Sequence, residues 1–278
     1  MRIPEALTSN PTGIGKGADL SERGWSDLHK RWARSAVPLR PHAQVVENVA
    51  RQIADVPGLT LLLGVTPEYA ALDRPIVAAD WSAAMIGSVW PGNTPQRRVV
   101  QADWCDMPFA PASFAAAIGD GALAMTRWPD HYEQIVARLR DVVRPGGKIV
   151  LRCFASPDAP EPLSELADKV MGGEPIGFHA FKWRLAHAVM HQQGVDNIPI
   201  RATWDAFQRL FPDREALSRA TGWSLDVISE IDDYEVSPLW KSFPTRARLL
   251  ALFPGSRIAE SGDYEMADRC PLLVIECP

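Results

Sequence analysis

Residues 59–82 read LTLLLGVTPEYAALDRPIVAADWS, and the fold turns on them. An apolar run, LTLLLG, stops at Gly64, and a second run, PIVAAD, stops at Asp80. TPEYAALD between them reads as a short helix, so the stretch predicts strand, loop, helix and a second strand that ends in an acid. Nucleotide-binding loops at such a place carry two or three glycines, so that backbone N–H groups can approach a pyrophosphate. Here Val65-Thr66-Pro67 supplies bulk, and Pro67 has no N–H to offer. A nucleoside without a pyrophosphate suits this loop better.

The same rhythm continues downstream. SAAMIGSVW reads as a helix, RRVVQAD as a strand and SFAAAIGDG as a further, alanine-rich strand. Tyr132, Ile135, Val136, Leu139, Val142 and Val143 form one apolar stripe, which predicts a helix stopped by Arg144-Pro145-Gly146-Gly147. KIVLRCF follows as a strand. Strands alternating with helices imply a parallel sheet covered on both faces. The C-terminal segments from SRIAESGDY to CPLLVIECP read as two more strands.

Before the sheet, residues 1–24 read as a polar arm, and two helical stretches follow between Trp25 and Ala54, divided by Val37-Pro38-Leu39-Arg40-Pro41. TGIGKGA at residues 12–18 looks like a phosphate loop, but no strand precedes it and the G-x-x-x-x-G-K-[ST] frame is incomplete. After residue 156 the rhythm changes to helices and loops, with FHAFKWRLAHAVMHQQG as one amphipathic helix. The expected organisation is an arm and helical lid over residues 1–56, then one domain over 57–278 with a helical insertion at about 157–240.

The chain has 278 residues, 46% of them apolar, and a net charge of −5, which gives no general attraction for nucleic acid. Its four cysteines form no C-x-x-C pair, so a disulfide or zinc framework is not expected and a reducing cytoplasm fits. No apolar run reaches membrane-spanning length, and the N-terminus lacks the order of a signal peptide. A cytoplasmic protein is the expectation.

Ligands of open parallel sheets bind beyond the carboxyl ends of the strands. Those ends are Gly64, Asp80, Asp103 and Asp120-Gly121. Asp80, placed to accept from ribose hydroxyls, also serves as a possible helix cap; Trp81 and Met85 after it can pack on an adenine or in the core. Asp103 and Trp104 can meet the adenine edge and face, or form a turn. Asp120, between two glycines, can face a cationic ligand head or a substrate.

The order LLLGVTPE, AADWSAAMI, VVQADWCDMPF, SFAAAIGDGAL, LRDVVRPGGKIVLR resembles a class I S-adenosylmethionine-dependent methyltransferase over residues 45–155. The resemblance implies an α/β, Rossmann-like, mostly parallel seven-stranded sheet with helices on both faces and a C-terminal antiparallel hairpin. It implies S-adenosyl-L-methionine as cofactor, held by Gly64, Val65, Thr66, Pro67 and Glu68 of the first loop, by Asp80, Trp81, Met85, Asp103 and Trp104, and by Asp120 and Gly121. In the family the first loop is D-x-G-x-G-x-G. Leu62 and Thr66 depart from it, so Glu68 or Asp120 is expected to take over the contact to the methionine amine. The family's acid after phenylalanine in the fourth strand is Ala115 here. Arg40, and secondarily Arg152, is a candidate for the cofactor carboxylate.

The [ND]-P-P-[YF] motif of amino-group methylation of bases or glutamine is absent after the fourth strand, where Gly119-Asp120-Gly121-Ala122 stands. Cys270-Pro271 reverses the Pro-Cys order of cytosine-carbon methylation. A small-molecule acceptor with an oxygen or nitrogen nucleophile is therefore expected, roofed by the N-terminal helices and the insertion. Trp25, Trp32, Phe181 and Trp183 are candidate lining residues or packing residues. No catalytic base is identified. His187 and His191 have a metal-permitting spacing without a third ligand, and no metal is expected. The alternative readings are a non-catalytic methyltransferase-like module and a nicotinamide-dependent oxidoreductase; for the latter no Tyr-x-x-x-Lys is present.

Overall fold

A computed structural model describes residues 35–278. The expected arm, TGIGKGA, the helix from Trp25, Trp32 and the basic residues His29, Lys30, Arg31 and Arg34 lie outside those residues. The first described helix, α1 (Ala43–Gln52), is capped by His42, whose ring accepts from the Gln44 amide at 3.3 Å.

The sheet begins with β1 (Thr60–Leu63), α2 (Pro67–Ala70), β2 (Ile76–Asp80), α3 (Ala83–Val89) and β3 (Arg97–Gln101). It continues with β4 (Phe114–Asp120), a 3-10 turn at Ala122–Met125, α4 (Asp130–Val142) and β5 (Val143–Arg152). The insertion supplies α5 (Leu163–Met171), α6 (Phe178–Gln193), β6 (Asn197–Pro199), α7 (Ile200–Leu210), α8 (Arg214–Thr221), α9 (Leu225–Ser229) and β7 (Trp240–Ser242). The chain closes with α10 (Arg246–Leu252), β8 (Arg257–Ala259) and β9 (Leu272–Glu276).

Seven strands form one sheet in the order β3-β2-β1-β4-β5-β9-β8. β1 to β5 are mutually parallel, while β9 runs antiparallel to β5 and β8 antiparallel to β9. The expected sheet with a closing antiparallel hairpin is thus what the chain forms. β6 and β7 make a separate antiparallel pair that sequence reading did not anticipate.

Side chains alternate between the two faces of each strand, and the core divides accordingly. Leu61, Leu63, Val77, Ala79 and Ala117 pack against the α4 stripe of Tyr132, Ile135, Val136, Leu139 and Val142. Leu62, Ile76, Ala78, Ala116 and Ile118 pack against Val45 and Val49 of α1 and Ile53 at its C-terminal cap. Each leucine, isoleucine or valine among them contributes roughly 1.5–3 kcal/mol when fully buried. α1 is therefore a sheet-covering helix and not part of a lid, because its apolar side finds its partners on the strands. The boundary expected at residue 56 falls inside one packed layer.

α4 stops at Val142 as expected, but Arg144-Pro145-Gly146-Gly147 lies inside β5, as an irregular stretch between the pairings Phe114–Val143 and Ala116–Lys148. At Gly147 an added Cβ would stand 2.6 Å from the Ala115 carbonyl, so only glycine lets the chain pass β4 this closely. α6 differs from the amphipathic helix expected. Phe178 and every residue from Ala180 to Met190 are buried, Lys182, Arg184 and His187 included. α5, α7 and the residues before β7 enclose it, so its charged positions face protein on all sides.

Candidate active site

Strand order reverses at β1, whose neighbours β2 and β4 lead in opposite directions, so a crevice is expected beyond the C-terminal ends of β1 and β4. The residues there come from the opening stretch. Gly64 leaves β1 with φ +87°, a conformation L side chains rarely take, and its amide donates to the Ala79 carbonyl at 2.8 Å. A Cβ at Gly64 would lie 3.8 Å from Asp80 Oδ2 and 4.0 Å from Trp104 Cζ2. Gly64, Asp80 and Trp104 thus converge on one small space.

Asp80 is 7% exposed, and its Oδ1 accepts from the Ser82 amide at 2.9 Å. Ser82 is the cap of α3, accepting from the Met85 amide at 3.2 Å, which releases Asp80 from the capping role. Trp104 donates its indole N–H to the Ala79 carbonyl at 2.7 Å, fixing the ring across the end of β2. Trp81 is half-buried, and its carbonyl accepts from Gln101 at 2.9 Å.

Other expected residues sit differently. Val65 and Met85 are buried together with Val89, so both are packing residues that join the loop to α3. Asp103 is exposed, and its Oδ1 accepts from the Cys105 amide at 2.9 Å, the arrangement of an Asx turn. Thr66 is buried at the start of α2 and makes no side-chain capping bond, while Pro67 occupies the first helical turn.

Glu68, on that same turn, accepts from Arg40 through Oε1, with the Arg40 Nε at 2.9 Å. Its Oε2 is shut off from solvent and has no hydrogen-bond partner among the described residues. Arg40 is thereby placed at the first loop through a partner that sequence spacing gave no means to pair with it.

Asp120 requires a correction. Expected to face a cationic ligand head, it is instead buried against Arg152, which donates to both carboxylate oxygens, Nη2 to Oδ2 at 3.1 Å. Arg152 also donates to the Pro38 carbonyl at 2.8 Å and approaches the Tyr264 hydroxyl at 3.4 Å. Burial pushes the Asp120 carboxyl up while Arg152 draws it down; for Arg152, burial is the largest influence and lowers its pKa, but Asp120 together with Cys270, Tyr264 and Tyr69 outweighs it and keeps the guanidinium charged. The expected contact of Arg152 with a cofactor carboxylate fails for the same reason. Gly121 (φ +61°) has the Phe154 ring so close that an added Cβ would lie 2.4 Å from it. Phe154 in turn packs against Trp183 of α6, the rings tilted by 53° with centroids 3.9 Å apart.

Trp183 and Phe181 are packing residues, 2% and 0% exposed. Of the two histidines with metal-permitting spacing, His187 is buried with Nδ1 3.1 Å from Arg269, whereas His191 is exposed. Among the described residues no group of three His, Cys, Asp or Glu is placed to hold a metal. Burial raises the thiols of Cys105 and Cys270 to about 11 and that of Cys153 to about 12, so these cysteines are poor nucleophiles at neutral pH. No described helix is long and apolar enough to cross a membrane.

Residues 63–151, from the end of β1 through β5, match the family model described as a methyltransferase domain. No curated protein matches the chain. A solved structure described as a putative zinc-dependent alcohol dehydrogenase from Rhodobacter sphaeroides is 11% identical, with a TM-score of 0.59, covering 93% of this chain and 98% of that one. At that identity the likeness is one of fold alone. A SAM-dependent methyltransferase from Methanosarcina mazei is 14% identical with a TM-score of 0.46, covering 82% of this chain and 94% of that one. A putative S-adenosyl-L-methionine-dependent methyltransferase from Methanococcus maripaludis is 12% identical with a TM-score of 0.45, covering 96% of each chain.

Proposed function

We propose that this chain, whose residues 63–151 match a methyltransferase-domain model, is a class I S-adenosylmethionine-dependent methyltransferase that methylates an oxygen or nitrogen atom of a small-molecule acceptor. The observation that carries the cofactor half of this reading is the convergence of Asp80 and Trp104 on Gly64. A carboxylate at the end of β2 suits the two ribose hydroxyls, and an indole beside it suits the flat base. A loop poor in backbone donors suits a nucleoside that has no pyrophosphate.

The methionine end of the cofactor has a place of matching chemistry. Among the described residues Glu68 Oε2 is a buried acceptor without a donor, which costs free energy until one arrives. The cofactor's ammonium is such a donor, and Arg40 beside it suits the carboxylate. Gly64 gives room for the backbone to approach. Asp120 acts through the wall: pinned by Arg152, it holds the end of β4 in place.

When bound, the cofactor supplies an electrophilic methyl group on a sulfonium. The protein's part is to align the nucleophile and keep water out. The insertion supports that role, because Trp183 of α6 covers Phe154, which covers Gly121. The acceptor reading rests on the absence of base- and glutamine-methylating motifs after β4.

The test is turnover with S-adenosylmethionine labelled in its methyl group and a pool of small metabolites. Label in the small-molecule fraction is expected. Label confined to protein or nucleic acid would refute the acceptor class. Cofactor binding with no label in any fraction would favour the second reading, a non-catalytic module, which the departures at Leu62 and Thr66 motivate.

A further inference from the structure

The segment before α1 is tied to the C-terminal edge of the sheet at two places. Arg152, the last residue of β5, donates through Nη2 to the carbonyl of Pro38 at 2.8 Å, and Pro38 is buried. Two residues on, Arg40 reaches Glu68 on the first turn of α2, just past β1. The Arg40 amide donates to the Ala36 carbonyl at 3.2 Å, so Pro38 sits inside one closed turn with Arg40 at its end. β4 lies between β5 and β1 in the sheet, so the contacts of residues 38–40 span the end of β4, where Asp120 stands.

The bonds of Arg152 suit it to that contact. Its Nε and Nη2 donate to the two oxygens of Asp120, and the second Nη2 hydrogen goes to Pro38. Nη1 approaches the Tyr264 hydroxyl at 3.4 Å, and the Phe154 ring centroid lies 5.0 Å from Cζ. The guanidinium is a rigid planar fork, so a carboxylate that takes one edge fixes where the remaining N–H groups point. Asp120 thereby aims the bond to Pro38. The His42 ring stacks on Tyr264 with centroids 5.7 Å apart, which anchors the far end of the segment.

Stability alone gives no sufficient reason for this pair. A buried ion pair regains in attraction about what it loses in desolvation, and apolar residues of similar volume often do as well or better. What apolar residues cannot do is hold a backbone carbonyl. Residues 35–42 form no helix or strand of their own, so their path depends on such ties. A long arginine side chain has many rotamers to lose when it meets a ligand, and a fixed backbone beneath it reduces that loss. Holding Pro38 therefore bears directly on how well Arg40 is placed.

We propose that Arg152 is a positioning residue: by holding the Pro38 carbonyl, with Asp120 aiming it, it sets Arg40 against Glu68 for the amino-acid end of the cofactor. The inference rests on the methyltransferase reading for its ligand, while the hold on residues 36–42 stands on its own bonds. On this reading Arg152 touches no ligand and acts through Arg40. Its influence falls on ligands that carry the amino-acid end, and not on the nucleoside part, which belongs to Asp80 and Trp104.

The experiment pairs amide hydrogen exchange with calorimetric titration of the full chain. Asp120→Asn combined with Arg152→Met removes both halves of the pair and strands no charge. Arg152→Lys, which keeps a cation beside Asp120 but not the planar fork, repeats the test should the double variant fold poorly. In either variant the peptide over residues 35–42 should exchange about 10-fold faster, the scale of one hydrogen bond to a charged group, while peptides of α4 keep the wild-type rate. S-adenosylhomocysteine should bind about 10-fold more weakly, and methylthioadenosine, which lacks the amino-acid end, as tightly as in the wild type. Arg40→Met should weaken S-adenosylhomocysteine binding in the wild type and add little in the variant background, because the two residues act in series. Unchanged exchange over residues 35–42, an equal loss for both ligands, or fully additive losses overturn the proposal. Faster exchange there, in a protein whose wild type binds neither ligand, would overturn the cofactor reading and support the hold of Arg152 on the segment.

Discussion

Asp120→Asn and Arg152→Met remove opposite halves of one buried ion pair and are predicted to behave differently with pH. The two side chains are 1% and 0% exposed, so neither half can turn to water for compensation. Removing one partner of a buried pair costs about 3–5 kcal/mol. In Asp120→Asn the guanidinium keeps its charge at any accessible pH, because arginine does not deprotonate in proteins. The loss should therefore stay flat between pH 5 and pH 8. In Arg152→Met the stranded carboxyl has an escape, since it can take a proton. Burial already raises its pKa in the wild type, and losing Arg152 removes the main lowering influence. The folded variant then binds more protons than the unfolded chain, so its stability falls as pH rises toward the folded pKa and recovers as pH is lowered. The slope in that window is about 1.36 kcal/mol per pH unit. Urea denaturation followed by tryptophan fluorescence at pH 5, 6.5 and 8 measures both deficits against the wild type. A deficit below 1 kcal/mol for Asp120→Asn, on the scale of an exposed pair, would refute the buried-pair account. So would an Arg152→Met deficit that ignores pH.

Gly121→Ala combines a left-handed backbone with a Cβ 2.4 Å from the Phe154 ring, and should cost about 2–4 kcal/mol in the same denaturation experiment. His187 has its pKa lowered well below 6.5 by burial and by Arg269 and Lys241. The unfolded chain therefore binds the extra proton, and its contribution is complete above pH 6.5 and lost as pH falls. Between pH 6.5 and 5 that amounts to up to about 2 kcal/mol, and His187→Gln should flatten this part of the stability profile. Glu68→Gln should weaken S-adenosylhomocysteine binding about 10- to 100-fold, the worth of a hydrogen bond to a charged group, while leaving methylthioadenosine, which lacks the amino-acid tail, unaffected in parallel titrations.

The sheet was legible because each strand and its partner helix carry their own periodicity. LTLLLG, PIVAAD and the α4 stripe need only local spacing to be read, and their order implied the parallel arrangement found in β1 to β5. The placement of Gly64 just after β1 and of Asp80 at the end of β2 was legible for the same reason, as both sit where an apolar run stops. Asp120 was misjudged because its partner lies 32 residues on in the chain, at the end of the neighbouring strand, and a pairing at that range leaves no local mark. The burial of Lys182 and Lys241 was missed on similar grounds. A lysine within FKWRLA or LWKSF looks like the polar side of an amphipathic element, and only the helices packed around α6 turn it inward. The one local hint was the company of bulky apolar neighbours on both sides. Met85 and Val65 fit either a ligand or the core by residue type, and the packing with Val89 is what assigns them to the core.

Calorimetric titration of the purified full chain with S-adenosylmethionine, S-adenosylhomocysteine and NADH, repeated on Asp80→Ala, tests the central claim most directly. The account predicts binding of both adenosyl compounds, its loss in Asp80→Ala, and no binding of NADH. Binding of NADH in place of the adenosyl compounds would contradict it.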